Sequence, residues 1–420
     1  MGGTADQDTL IDDGENAFSH GMNIARFEDT SNELLDASFA TLVERSNGRI
    51  VVDNRHGVAS AFGRTAGDVS AFVSGDHLVI VGSSADDSIV LTSTESGDVV
   101  VSGRLGTTIN GGESFTAFSG VAGVLPGNLT INGLDGIDLI SVGDVVITGQ
   151  LNVVTGSDED AVLVSGVSVG GNLVLRGTGG MQASVEHAES TVHTLLFGDS
   201  EDDLYSLTAV QIGGVLNASA GNGDNQTFAT AVTVADGVAV SPGSGSDFVR
   251  LVDSVIGSTL YVQTGAGDDR LETSGVEVGS TLYVNLGEDD DVADMDGVTA
   301  GTAATIRTGT GNDAVRLQRS LFEDSARVFG AAGNKVVDLD SIHVTGATAV
   351  QAAGGNLALR VRNNTFENGS GQFVGGVGSD DVLLDDNSSS YASPPNFALF
   401  EDVSNDLIDE AFEDLLDLAF

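Results

Sequence analysis

One type of turn sequence occurs four times between residues 243 and 313: Gly243-Ser-Gly-Ser-Asp247, Gly265-Ala-Gly-Asp-Asp269, Gly287-Glu-Asp-Asp-Asp291 and Gly309-Thr-Gly-Asn-Asp313. The opening glycines recur at every 22nd position, and so do the closing aspartates. A fixed period of this length is typical of a solenoid, in which each repeat buries its apolar face only against its neighbours. The repeat therefore predicts the architecture before any other feature of the chain is considered.

Apolar residues alternate at fixed places within each repeat. In the first of the four repeats they are Val249 and Leu251, then Ile256, then Leu260 and Val262. A period of two indicates strands with one buried face. Three such strands per repeat, separated by Gly, Asp or Asn turns, predict an all-β solenoid, namely a three-sided, right-handed parallel β-helix. A two-sided β-roll is the alternative, but it needs about 18 residues per coil.

The pattern divides the chain into four regions. Residues 1–47 are an acidic N-terminal segment with an amphipathic helix, and residues 48–130 are a β-rich entry region. Residues 131–387 form the β-helix, and residues 388–420 are a Ser/Pro linker followed by a C-terminal amphipathic helix. Coils stacked ~4.8 Å apart predict a rod of roughly eleven coils, about 50 Å long.

The composition limits the function. The chain has 420 residues, with 62 acidic and 16 basic side chains and a formal net charge of −46. Such a negative field argues against binding of nucleic acid or anionic membranes, and it suits binding of cations or life in high salt. There is no cysteine, Lys335 is the single lysine, and no run of 18 apolar residues predicts a membrane-spanning helix.

Two of the turns resemble a known calcium-binding repeat. Gly265-Ala-Gly-Asp-Asp-Arg-Leu271 and Gly309-Thr-Gly-Asn-Asp-Ala-Val315 are similar to half of the nonapeptide of bacterial RTX (haemolysin-type) proteins. The segment Leu78–Leu91 resembles the entry segment of bacterial secreted or surface β-helix proteins, and Asp414–Phe420 resembles a type I secretion signal. The resemblance implies secretion and calcium. The 22-residue period, in place of about 9 or 18, departs from the family.

An aspartate column supplies the candidate metal ligands. One repeat position carries an acidic residue in most coils, and Asn225 follows one of these acids. Stacked carboxylates ~5 Å apart repel by about 1 kcal/mol even in bulk water, and oxygen ligands suit Ca²⁺. The predicted calcium ligands are Asp160, Asp202, Asp224, Asp247, Asp269, Asp291 and Asp313. The alternative is that each aspartate closes its turn by accepting backbone N–H groups, with no metal.

A second column has mixed charge. We expect it to be exposed and to support the coil register through opposite-charge neighbours. A groove in which arginines hold an acidic polysaccharide is the alternative. Tyr261 and Tyr283, one period apart, predict an aromatic ladder or, alternatively, a platform for a sugar. The column consists of Arg250, Glu272, Asp294, Arg316, Asp338 and Arg360.

The two ends of the chain carry the same segment. Phe27-Glu-Asp-Thr-Ser-Asn-Glu-Leu-Leu-Asp-Ala-Ser-Phe39 matches Phe400-Glu-Asp-Val-Ser-Asn-Asp-Leu-Ile-Asp-Glu-Ala-Phe412. Each copy predicts an amphipathic helix, over Phe27–Val43 and within Phe400–Phe420. Such helices cap solenoid ends, but the shared sequence also suits a shared partner or end-to-end self-association into filaments. A targeting signal is a third interpretation.

No motif of catalysis stands out. The chain lacks a nucleophile motif, zinc spacing, a P-loop and a dinucleotide fingerprint. We therefore expect a structural or adhesive protein, secreted or at the cell surface, and not an enzyme. A carbohydrate-active β-helix, either a polysaccharide lyase or a hydrolase, is the alternative, because an Asp-based site could be hidden among so many acids.

Overall fold

A computed structural model describes residues 8–12, 16–20, 66–369, 371–400 and 402–403. The chain forms two compact units, unit 1 (Met1–Ile212) and unit 2 (Gly213–Phe420). Every regular element in the described residues is a β-strand. The all-β prediction is therefore confirmed for the part of the chain that the structure describes.

Unit 1 contains five coils, and each coil contributes one strand to each of three parallel sheets. The strands of the first sheet are His77–Val81, Leu129–Asn132, Leu151–Val154, Leu173–Arg176 and Thr194–Phe197. Those of the second sheet are Ser88–Ser93, Leu139–Gly143, Asp160–Ser165, Met181–Glu186 and Leu204–Thr208. Those of the third sheet are Val124–Leu125, Val146–Ile147, Ser168–Val169, Glu189–Ser190 and Gln211–Ile212.

An insertion lengthens the first coil of unit 1. Leu78 pairs with Leu129, 51 positions later, in place of the usual 22. The extra residues form antiparallel strands on the second sheet and a short strand beside the first, which are Val99–Gly103, Ser114–Phe118 and Thr108–Ile109. Asp68–Ser74 runs antiparallel to the first strand of the first sheet. A separate hairpin pairs Asp8–Asp12 with Asn16–His20.

Unit 2 repeats the same three-sheet coil more regularly. The strands of its first sheet are Leu216–Asn222, Val238–Ser244, Leu260–Ala266, Leu282–Glu288, Ala304–Gly309, Ala326–Gly330, Thr348–Ala352, Gly371–Val374 and Asn396–Ala398. Those of its second sheet are Gln226–Thr230, Phe248–Val252, Arg270–Ser274, Val292–Asp296, Asp313–Gln318, Lys335–Asp340, Leu357–Arg362, Val382–Asp385 and Asp402–Val403. Those of its third sheet are Thr233–Val234, Val255–Ile256, Glu277–Val278, Thr299–Ala300, Leu321–Phe322, His343–Val344, Thr365–Phe366 and Ser390–Tyr391.

The register of unit 2 follows the sequence period. Leu260 pairs with Leu282 and Tyr261 with Tyr283, each one full repeat away. Three parallel sheets with this period confirm the three-sided solenoid over the two-sided roll. The strand pairing also continues past residue 387, where the sequence indicated a linker, because Ser390–Tyr391, Asn396–Ala398 and Asp402–Val403 pair with the preceding coil.

The interior of each coil is apolar, as the alternation predicts. Leu260, Val262 and Leu271 are completely buried in the regular part of unit 2. Burial of apolar surface at about 25 cal/mol per Å² is the main force that holds such coils together. Phe322, Phe366 and Phe373 fill the interior of the later coils, where Phe373 stacks on Phe397 with ring centroids 5.2 Å apart.

The opening glycine of each turn is required by close contact between coils. Gly265 has a φ of +122°, and a Cβ atom there would lie 1.7 Å from the carbonyl oxygen of Gly243 in the preceding coil. Only glycine adopts this backbone conformation without strain. The glycine period therefore reflects how closely successive turns stack, independently of any ligand.

The predicted terminal helices fall mostly outside the described residues. The segment Phe27–Val43 lies outside them entirely. Within Phe400–Phe420 only Phe400, Asp402 and Val403 are described, and the last two form a strand on the second sheet of unit 2. In the part of the chain that the structure describes, no helix has the length and apolar character needed to cross a membrane.

Candidate functional site

The turn aspartates of unit 2 are buried and stack in a column, here called the inner column. Hydrogen bonds join them from coil to coil, because Oδ1 of an aspartate accepts the backbone N–H of the residue one period earlier. Asp269 accepts from Asp247 at 2.8 Å, Asp291 from Asp269 at 2.9 Å and Asp313 from Asp291 at 3.1 Å. The column consists of Asn225, Asp247, Asp269, Asp291, Asp313 and Lys335. All six residues are buried.

Unit 1 has its own inner column, which differs from the predicted one. The Asp87 N–H donates to Asp138 at 2.9 Å, and the Asp138 N–H donates to Asp160 at 2.8 Å. The Met181 N–H donates to Asp203 at 2.7 Å. Asp203 is buried, whereas the predicted Asp202 is exposed. The assignment of Asp202 to this column is therefore wrong by one residue, since Asp203 lies 22 positions after Met181 and 22 positions before Asn225.

A second column of polar residues precedes the inner column of unit 2 by one position, and its hydrogen bonds run the other way. Asp268 accepts the N–H of Asp290 in the following coil at 3.0 Å, and Asp290 accepts that of Asn312 at 2.7 Å. The predicted ligand Asp224 belongs to this outer column, since its carboxylate accepts the N–H of Ser246 at 2.8 Å and is exposed. The members of the outer column are Asp224, Ser246, Asp268, Asp290, Asn312, Asn334 and Asn356.

The two columns join neighbouring coils in opposite directions. In the inner column the aspartate side chains accept N–H groups from the coil before, as Asp269 does from Asp247, and in the outer column the side chains accept from the coil after, as Asp268 does from Asp290. Hydrogen bonds from N–H groups to side-chain oxygens contribute about 0.5–1.5 kcal/mol each, and about 1.5–3 kcal/mol where the carboxylate is ionised. The turn acids therefore act as polar links between coils.

Burial changes the protonation of the inner column. It raises the pKa of Asp138 to about 9 and that of Asp291 to about 8, with the neighbouring carboxylates adding to the effect. It raises the pKa of Asp160, Asp203 and Asp247 to about 7. The N–H donors oppose the shift in each case. Asp138 and Asp291 are therefore mostly protonated at neutral pH, which reduces the repulsion between stacked carboxylates.

Lys335 occupies the position that an aspartate holds in the earlier coils of unit 2. Its side chain is 2% exposed, and its Nζ lies 2.9 Å from Oδ2 of Asp313, whose side chain is completely buried. The same Nζ donates to the carbonyl oxygens of Gly311 and Ala332, the latter at 2.8 Å. Gly330 makes room for the lysine, since a Cβ atom there would lie 2.7 Å from Cγ and Cε of Lys335.

The inner column offers fewer ligands than calcium prefers. At the position of Lys335, the ammonium group Nζ contacts one carboxylate oxygen and two carbonyl oxygens. Ca²⁺ takes 6–8 oxygens. Within the described residues, no group of three or more His, Asp or Glu side chains is arranged to hold a metal ion. The donor atoms are chemically suitable, but they are too few at one point, and calcium binding stays a prediction.

The predicted mixed-charge column has the expected register but not the expected exposure. The pairs Arg250–Glu272, Glu272–Asp294 and Asp338–Arg360 face each other on adjacent strands. The Arg250 side chain is 54% exposed, whereas that of Arg360 is 3% exposed and that of Asp338 is completely buried. The prediction of a wholly exposed column is therefore wrong at its end.

The buried end of this column is stabilised by a two-point ion pair. Arg360 donates from Nε to Oδ1 of Asp338 at 3.0 Å and from its terminal nitrogen to Oδ2 at 2.8 Å. Bidentate geometry of this kind offsets the cost of removing both charges from water. Arg316 and Asp294 also pair through two contacts, but they are half-buried.

The two tyrosines form a ladder. The rings of Tyr261 and Tyr283 are 5.2 Å apart at their centroids and inclined by only 3°. Because this distance is close to the strand spacing of about 4.8 Å, each ring covers one face of the other. The arrangement agrees with a stabilising stack between coils more than with an open platform for a sugar.

Comparison of the chain with protein-family models, with curated protein sequences and with solved structures gave no match. The β-solenoid architecture is established by the strand pairing. The similarity to RTX repeats therefore depends on the glycine-aspartate turns alone.

Sequence reasoning missed several members of the inner columns. Asp138 lies one full period before Asp160, so the repeat itself was a usable signal for it, whereas Asp87 lies 51 positions earlier, across the insertion. Asp203 was also within reach, because it lies 22 positions before Asn225. Lys335 lies 22 positions after Asp313, and its being the single lysine of the chain was a second usable signal.

Proposed function

We propose that this protein is a structural or adhesive β-solenoid that works outside the cell or at its surface, and that it is not an enzyme. One observation supports this proposal most: the conspicuous acids of the turns are engaged in hydrogen bonds between coils, in two columns of opposite direction. An acid that links coils contributes to the stability of the fold. The charge of −46 suits a highly hydrated protein that stays soluble.

A polysaccharide partner can be tested against catalysis in one experiment. The full-length protein is incubated with a panel of acidic and neutral polysaccharides, with and without calcium. Co-sedimentation measures binding, while reducing ends and ultraviolet absorbance measure hydrolysis and lyase cleavage. Binding without products is the expected result. Turnover of any polysaccharide would replace the proposal with the alternative, a carbohydrate-active β-helix.

Calcium stabilisation is a second part of the proposal, carried by the predicted ligands Asp247, Asp269 and Asp291. Thermal unfolding is measured in a calcium chelator, in calcium and in magnesium at equal ionic strength. A higher melting temperature in calcium than in magnesium is expected if the ion binds. Equal melting curves in chelator and in calcium would mean that calcium does not stabilise the coils.

Self-association through the terminal segments is a third part. Light scattering coupled to size-exclusion chromatography compares the full chain with a chain ending after Val403. This end point keeps the last strands of the solenoid, which a cut after residue 387 would remove. We expect the full chain to form larger species. Identical masses for the two proteins would show that residues 404–420 do not take part in self-association.

A further inference from the structure

We propose that Lys335 and Asp313 are joined by an intramolecular amide bond between Nζ of the lysine and Cγ of the aspartate. The bond would link two neighbouring coils of unit 2 through their side chains. The inference concerns the covalent structure of the chain and does not rest on the proposed function.

The placement of the pair is the first argument. Nζ lies 2.9 Å from Oδ2, and the two side chains are 2% and 0% exposed. The strands that carry them are adjacent and in register, with Asp313 opposite Lys335. Nζ must attack Cγ, the carbon that carries Oδ2, and holding a nucleophile beside its target in this way gives a very high effective concentration. A chain with a single lysine, and with that lysine buried against a carboxyl group, is an unusual use of lysine, which is almost never fully buried.

The hydrogen bonds around Nζ are the second argument. A neutral amine has two hydrogens and one lone pair, and the carbonyl oxygens of Gly311 and Ala332 accept both hydrogens. The lone pair is then left for the third neighbour, the carboxyl group of Asp313. Oδ2 of Asp313 is buried and faces Nζ, so Cγ, the carbon that carries Oδ2 and that the lone pair must reach, lies next to the amine.

The carboxyl group is also prepared for attack. The N–H of Asp291 donates to Oδ1 of Asp313 at 3.1 Å. This donor stabilises the negative charge that develops on Oδ1 when nitrogen adds to Cγ, and it remains bonded to the carbonyl oxygen of the product. Burial raises the pKa of Asp313, against the opposing effect of Lys335, and so favours the protonated carboxyl that can lose water.

The reaction needs no other reactant. The ammonium first passes a proton to Asp313, which leaves a neutral amine beside a neutral carboxyl group. The Nζ–Cγ bond forms and the Cγ–Oδ2 bond breaks. Oδ2 leaves as water with that proton and a second one from Nζ. The ion pair and the amide plus water therefore contain the same atoms and electrons.

Mass spectrometry of the denatured full-length protein tests the bond. We expect a mass lower than the sequence mass by one water molecule. After trypsin, Thr308–Arg316 should be joined to Val328–Arg360, because an acylated Lys335 is not cleaved. Amine labelling after denaturation should leave Lys335 unlabelled. A full sequence mass with a labelled Lys335 would overturn the proposal.

Two variants separate this bond from other losses of water. Asp-Gly sequences such as Asp135-Gly136 and Asp296-Gly297 can also lose water by cyclisation. The Lys335→Arg variant keeps the positive charge and any such cyclisation but cannot form the amide. We expect its mass to equal the sequence mass, and Asp313→Ala to leave Lys335 open to labelling. A loss of water that persists in Lys335→Arg counts against the proposal.

Discussion

Unit 1 and unit 2 share the coil interior but differ on the outward face of the second sheet. In unit 1 the outward positions are small or apolar and buried, and they are Val90, Ser141, Leu163, Ser184 and Ser206. In unit 2 the first corresponding position is the half-buried Phe228, and the next three are charged residues that are exposed or half-buried, namely Arg250, Glu272 and Asp294. The difference teaches that the repeat specifies the inward face and the turns, while the outward face is free to vary between coils.

The largest expected effect comes from placing a charge on the buried outward face of unit 1. Leu163 is 2% exposed, and Leu163→Arg would remove the charge of the new side chain from water without a partner. Such a change costs several kcal/mol. Chemical denaturation should show it, with Leu163→Met, expected below about 1.5 kcal/mol, as the control for shape. Equal stability of Leu163→Arg and the parent chain would mean that this face opens readily to solvent.

A somewhat smaller effect is expected at the buried end of the charged column in unit 2. Arg360→Met leaves Asp338 buried without its bidentate partner and should cost about 3–5 kcal/mol. Arg250→Met removes an exposed member of the same column and should cost less than about 1 kcal/mol. The double variant Arg360→Met/Asp338→Leu should recover most of the loss. If both single variants unfold alike, burial does not distinguish the two ends of the column.

A third prediction compares the inner columns through pH. Folded-state pKa values above 3.8 mean that the folded state binds more protons, so stability falls as pH rises from about 4 toward 9. The pKa is about 9 for Asp138 in unit 1 and about 6 for Asp269 in unit 2. Asp138→Asn keeps the acceptor oxygen and should raise the melting temperature at pH 9 more than Asp269→Asn does. Melting temperatures that do not change with pH would contradict the protonated column.

The smallest expected effect lies in the tyrosine ladder. Tyr261→Ala removes the stack on Tyr283 and should cost about 0.5–1.5 kcal/mol beyond the lost area. Tyr261→Phe keeps the ring and loses only the hydrogen bond to Gln263. The two variants, compared by thermal unfolding, separate stacking from hydrogen bonding. If a polysaccharide binds Tyr261→Ala as tightly as it binds the parent chain, the two rings are not part of a sugar-binding site.

Much of the fold was predictable because the interior imposes a strict period. The alternation at Val249 and Leu251, at Ile256, and at Leu260 and Val262 correctly predicted three strands per coil in unit 2. The candidate site was predicted less well. Asp247, Asp269, Asp291 and Asp313 were assigned to the right column, whereas Asp224 lies 23 positions before Asp247, one position off the period, and belongs to the outer column.

The errors have two sources. The insertion in the first coil breaks the period, and only strand pairing shows that Leu129 pairs with Leu78. Asp202 and Asp224 were each placed one position away from the period that Asp203 and Asn225 keep. Exposure was also beyond the sequence. Arg250 and Arg360 occupy equivalent repeat positions, yet one is exposed and the other buried, because burial depends on what packs against a strand from outside the repeat.

The sequence by itself determined the period, the apolar interior and the glycine-aspartate turns, since each of these repeats with the coil and is read locally. The tertiary structure alone decided that the turn acids bond to the coils before and after them, that burial raises the pKa of inner members such as Asp138 and Asp291, and that Lys335 meets Asp313. These features depend on contacts between residues one period or more apart. The type and charge of a residue do not give its burial or its distance from other residues. Burial and distance decide whether a repeated aspartate binds a ligand, bonds to a neighbouring coil or reacts.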